Sequence, residues 1–135
     1  MDPLTYTIRT TVPAVALGAD ALTPLGETPY AGTVAAVRWI AAAALTGAAT
    51  NTRRLDLQNR GQAGAGTTVV ASKQFDAAVN AVADDETAIT LSGTAANLVL
   101  VAGDSLALNS VHVGTGIADP GGIIEIDIAR TLTAA

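Results

Sequence analysis

The side chains that could do chemistry are few: one histidine, no cysteine, and short runs of acids and glycines. Nucleophilic hydrolysis needs a Ser, Thr or Cys beside a base, usually His. His112 lies between Val111 and Val113 in a strand-like stretch and reads as an outward-facing residue on a half-buried strand. A single histidine also leaves a zinc site short of its usual three or four N or S ligands. The run Asp84-Asp85-Glu86, joined by Asp104 or Asp119, offers oxygen atoms of the kind calcium takes. It lacks the spaced acid-x-acid-x-acid-Gly arrangement, and consecutive acids mark a solvated turn. Paired carboxylates for glycoside hydrolysis normally sit among aromatic sugar platforms, and aromatics are 3% of this chain. Gly61-Gln62-Ala63-Gly64-Ala65-Gly66 suggests a phosphate cradle, yet no lysine follows the last glycine and Thr67-Thr68-Val69-Val70 looks like strand. It reads as a hairpin connection, as do Gly114-Thr115-Gly116 and Pro120-Gly121-Gly122. The expectation is a chain with no catalytic residue, no cofactor and no metal: not an enzyme.

Charge narrows the partners. A net charge of −5, with seven scattered basic residues, argues against nucleic acid, whose phosphates call for a basic patch. Only Arg53-Arg54 are adjacent, and they read either as solvated strand charge or as an interface pair, because arginine suits bidentate contacts. No apolar run is long enough to span a bilayer, so no membrane partner is expected. The opening Met1-Asp2-Pro3-Leu4-Thr5-Tyr6-Thr7 has an early acid and no apolar signal core. Without cysteine there are no disulfides, which fits a cytoplasmic origin.

The elements that would carry these residues are strands. Half of the 135 residues are hydrophobic, enough for one domain's core, but most are small. Small side chains bury little area each, which points to help from oligomerisation or docking. In Ile123 to Arg130, Ile124, Ile126 and Ile128 share one face while Glu125 and Asp127 take the other. Leu55 and Leu57 alternate likewise with Arg54, Asp56 and Gln58. Further strands are expected at 67–72, 86–92, 97–102 and 105–113, separated by Asn59-Arg60-Gly61, Ser92-Gly93, Gly103-Asp104 and Pro120-Gly121-Gly122. Thr33 to Ile40 suits a pleated face, with a loop through Ala41 to Ala44. Phe75, Ala78, Val79 and Val82 fall at helical spacing, against the strand reading, and the secondary structure of 74–83 stays open. Residues 1–32 hold four of the five prolines and read as an extended arm and linker, in which Leu4 to Val12 alternates and could pair with an edge elsewhere. The expected architecture is all-β: an arm over 1–32 and a single jelly-roll-like β-sandwich over 33–135.

The stretch from Gly32 to Arg130 resembles the small jelly-roll-like capsid decoration proteins of tailed phages, particularly actinobacterial ones. The residues that carry the likeness are Gly32-Thr33-Val34 leading to Trp39, Leu45 to Gly61, Gly66 to Ser72, Glu86 to Ser92, Val101-Ala102-Gly103-Asp104 and Pro120-Gly121-Gly122. The low aromatic content and the alanine run at 41–44 depart from it. The resemblance implies a virion protein on the outer capsid surface, assembled in the host cytoplasm. It would bind the major capsid protein as a homo-oligomer, a trimer or another symmetric cluster, and strengthen the shell. A tail or fibre module is one alternative. A glycan-binding β-sandwich is another, and it requires Trp39 or Tyr30 exposed beside a polar cleft.

Overall fold

The computed structural model describes residues 4–132 and contains ten strands, one 3-10 turn over Ala95–Leu98 and no α-helix among them. The strands are β1 (Thr5–Val12), β2 (Ala21–Glu27), β3 (Gly32–Ala41), β4 (Thr52–Gly61) and β5 (Thr68–Phe75), followed by β6 (Glu86–Ala88), β7 (Thr90–Leu91), β8 (Val99–Leu100), β9 (Ser105–Val113) and β10 (Gly122–Arg130). They form two antiparallel sheets. One runs β1-β10-β3-β6, with β8 also on β3, and the other runs β2-β9-β4-β5-β7. The first strand thus lies beside the last and the second beside the last but one, with β3 and β4 inside them. This nesting is a jelly roll.

Period-two patterning places the core. Ile124, Ile126 and Ile128 of β10 face Leu55 and Leu57 of β4 and Leu106 and Leu108 of β9, all at most 3% exposed. Each such side chain contributes about 1.5–3 kcal/mol by leaving water. Trp39 of β3 is fully buried, edge-to-face with Phe75 of β5 at 5.5 Å between centroids. Its indole N–H has no oxygen or nitrogen acceptor. One aromatic pair therefore fills the sandwich where alanines leave room.

The β9–β10 connection depends on Gly122. Its φ is +147°, and a Cβ there would stand 2.0 Å from the Ile40 carbonyl oxygen. Only glycine admits β3 this close to the start of β10.

The sandwich is as expected, and the stretch read as an extended arm is paired into it. Thr5 to Val12 pairs with β10 in unbroken register, from Thr5 opposite Ala129 to Val12 opposite Gly122. Residues 21–27 pair with β9, with a register shift between Pro24 and Gly26. Residues 1–32, read as arm and linker, thus supply an edge strand to each sheet over 5–12 and 21–27. Proline's missing N–H kept β2 off the sheet centre, as P-rich chain should, but a bulge absorbed it and pairing continued. The alternation seen in Leu4 to Val12 does mark a strand, and the edge it pairs with is its own chain's. Met1 to Pro3 lie outside the described residues.

Smaller differences have similar causes. Glu86 to Ser92 is two strands in different sheets: β6 pairs with β3, then β7 crosses to β5. The stretch 76–83 is neither helix nor strand, and Leu45 and Ala81 hold it by an isolated bridge.

Candidate functional site

The polar residues with chemical potential are spread over separate turns. His112 is partly exposed near the end of β9, with Nδ1 2.6 Å from Asp20 Oδ1, and its main-chain N–H donates to the same oxygen at 2.8 Å. These contacts, the main-chain bond first, hold the Asp20 carboxyl below its ordinary pKa. The neighbouring Ser110 hydroxyl points elsewhere, donating to Asp119 Oδ2 at 2.7 Å. Serine and histidine are thus each engaged with a different carboxylate.

The acids considered as calcium ligands do not converge. Asp85 Oδ1 caps the Glu86 N–H, Asp104 Oδ2 accepts from Asn59 Nδ2 and Val101 N–H, and Asp119 Oδ1 accepts from Gly121 N–H. Asp85 caps its own turn, while Asp104 and Asp119 also accept from Asn59 of β4 and Ser110 of β9. Among the described residues no three His, Cys, Asp or Glu side chains group as metal ligands. The glycine-rich stretch is the β4–β5 connection, where Arg60 Nη2 donates to the Gly64 carbonyl at 3.1 Å and Gly66 N–H to the Arg60 carbonyl at 2.9 Å.

The arginine pair divides. Arg54 lies on the outer face of β4 and donates to Asp56 at 2.9 Å. Arg53 is wholly buried and fits neither the solvated nor the interface reading. Its guanidinium donates to the carbonyls of Ile117 (2.8 Å), Ala19 (2.8 Å) and Ala16 (3.2 Å). Burial pushes its pKa down, opposed by Asp119 and Asp20. Arg53 has the same strand parity as Leu55 and Leu57, and that was the available signal for its inward direction.

The outer face of the β1–β10–β3 sheet carries an ion-pair ladder in register. Arg9, Glu125 and Arg38 form one cross-strand row, and Thr7, Asp127 and Ala36 the next. Arg9 pairs with Glu125, and Arg38 grips Asp127 through both terminal nitrogens at 2.7 and 3.0 Å. That grip, with help from Thr7, holds the Asp127 carboxyl below its ordinary pKa against the opposing effect of burial. A depressed carboxyl stabilises the fold above its unfolded pKa of about 3.9, and the gain is lost as pH falls through the folded value. Asp127→Asn is therefore expected to cost about 1 kcal/mol at neutral pH. The difference from the native chain should vanish in acid, as read from thermal melts taken from pH 7 down to 2.

What remains for contact is apolar. Of the eight exposed large apolar side chains among the described residues, Leu4, Tyr30, Val99, Val101 and Leu132 lie at one end of the sandwich. Main-chain bonds place them there. Arg130 N–H donates to the Leu4 carbonyl and Thr131 N–H to that of Ala31, while Val99 pairs with Thr33. Thr28 Oγ1 donates to the Val101 carbonyl at 2.8 Å. Arg130 lies 3.8 Å over the Tyr30 ring, which Tyr6 meets edge-on at 6.2 Å. Sequence reasoning missed this end, although the unbroken run Val99-Leu100-Val101 was its signal: an edge strand apolar on both faces has one face to spare. For glycan binding, the burial of Trp39 removes one of the two alternative platforms, and Arg130 already occupies one face of the other, Tyr30.

No protein-family model, no curated protein sequence and no solved structure matches the chain.

Proposed function

We propose that this chain is a structural virion protein that works by surface contact with other polypeptides: a capsid decoration protein, seated on the outer surface of a tailed-phage shell as a symmetric oligomer and bound to the major capsid protein. The observation that carries this reading is the apolar end. Chains that act alone rarely leave so many large apolar side chains together, and such patches mark protein contact sites. Two further features support it. The jelly roll is an architecture that capsid proteins use, although lectins and enzymes use it too. The polar clusters that might have served a reaction are consumed in tying turns to strands, as with Arg53 on Ala16, Ala19 and Ile117. Strengthening of a shell follows physically if each copy clamps neighbouring capsid subunits, because any contact made only in the intact lattice stabilises it by mass action.

The reading is tested by sedimenting the chain with empty capsids built from the major capsid protein of the same phage. The expected result is saturable co-sedimentation at a fixed whole-number ratio per lattice unit, with raised thermal resistance of the shell. A chain left entirely in the supernatant at micromolar concentration would remove the proposal.

A further inference from the structure

We infer that the apolar end is a self-association surface whose occupant is the same end of a second copy of this chain, with Glu27 of each copy meeting Arg130 of the other. This rests on the contact-protein reading above and assigns the partner of that surface. The argument begins with charge. Elsewhere on the same sheet arginines are matched within the chain, Arg9 by Glu125 and Arg38 by Asp127. At the apolar end, Arg130 and Glu27 are both exposed, and neither has an oppositely charged partner among the described residues. Arg130 has only the Tyr30 ring beneath it. Glu27 closes β2 and leads directly into Thr28, which bonds to the Val101 carbonyl and, through its N–H, to the Asp104 carbonyl. Among the described residues, one unmatched cation and one unmatched anion therefore border a single apolar surface.

A surface that binds its own copy must carry both members of every pair it forms, because residue i of one subunit meets residue j of the next while j meets i. This end does so. A different acidic or basic partner would satisfy one of the two charges and leave the other facing its like, or buried unpaired, which is costly. Apolar contact by Leu4, Tyr30, Val99, Val101 and Leu132 would supply affinity, and the two ion pairs would set register. The chain's net charge of −5 disfavours approach of two copies through most surfaces, so a nearly neutral, apolar end is the favoured route.

Sedimentation equilibrium of the purified chain tests this, with near-ultraviolet dichroism of the buried Trp39 as the check that each variant is folded. The native chain is expected to form a dimer at micromolar concentration, and a closed trimer, which cannot bring the same two ends face to face, would overturn the inference. Glu27→Arg and Arg130→Glu should each raise the dissociation constant roughly tenfold or more, and the double reversal should restore most of it. Val99→Asp and Leu132→Asp should leave monomers. A native chain that is monomeric throughout, or association indifferent to all these changes, overturns the inference. Monomers that still co-sediment with capsids would overturn it while leaving capsid binding intact; oligomers that ignore capsids would do the reverse.

Discussion

Removing residues 1–31 is expected to leave a chain that does not fold at all. The deletion takes β1 from one sheet and β2 from the other, exposing β10 and β9 as new edges. It strips the buried Val12, Val15 and Leu25 from the molecule and uncovers one side of the Ile124, Ile126 and Ile128 row. It also removes Ala16 and Ala19, two of the carbonyls that receive Arg53, so a buried cation loses acceptors at the same time. Against a net stability of only about 5–15 kcal/mol, the loss of two strands and part of a core is decisive. The measurement is far-ultraviolet dichroism and a thermal melt of the truncated chain. A cooperative transition close to that of the intact protein would mean that the segment is a detachable arm, and the assignment of both edges would be wrong.

That expectation shows where the sequence was readable and where it was not. Strands bounded by clear turn signals stand out: Ser105 to Val113 is β9 to the residue, and Ile124, Ile126 and Ile128 of β10 face inward as their parity requires. Ser92-Gly93 and Gly103-Asp104 fall between strands as expected, whereas Asn59-Arg60-Gly61, expected as a turn, is the end of β4. What one-dimensional pattern cannot carry is partner choice. Pro24 and Gly26 in β2 look like breakers, but an edge strand needs hydrogen bonds on one side only, and a bulge there accommodates both. Residues 86–91 look like one strand because their composition is uniform, yet β3 and β5 compete for them and each takes part. Of the candidate surface, only the run Val99-Leu100-Val101 was legible as a signal. The apolar end was not, since Leu4, Tyr30, Val99 and Leu132 are far apart in the chain and meet only through sheet pairing.

Arg53→Ala should destabilise the protein by about 3–5 kcal/mol, the range for leaving a buried polar cluster without its partner. Four acceptors surround the guanidinium: the carbonyls of Ala16, Ala19 and Ile117 and the more distant Ser110 Oγ at 3.4 Å. None is replaced when it goes, and buried carbonyls without donors each cost about 1–3 kcal/mol unless water enters. Asp119, 3% exposed, would keep Ser110 and Gly121 as donors but lose the nearby positive charge. The segments 16–19 and 117–119, which Arg53 pins to β4, should then exchange amide hydrogens much faster. Arg53→Lys should recover only part of the loss, because one ammonium cannot reach carbonyls spread around a planar fork. Urea denaturation followed by Trp39 fluorescence measures both variants. A midpoint for Arg53→Ala within experimental error of the native value would show that the buried guanidinium does not hold these turns.

The central claim is that the molecule acts through broad contact with a protein shell. Electron cryomicroscopy of empty capsids, with and without saturating amounts of the chain, tests it most directly. The account predicts added density the size of one sandwich per copy, repeated with the lattice symmetry on the outer surface and bridging neighbouring capsid subunits. Identical maps in the two conditions would contradict it.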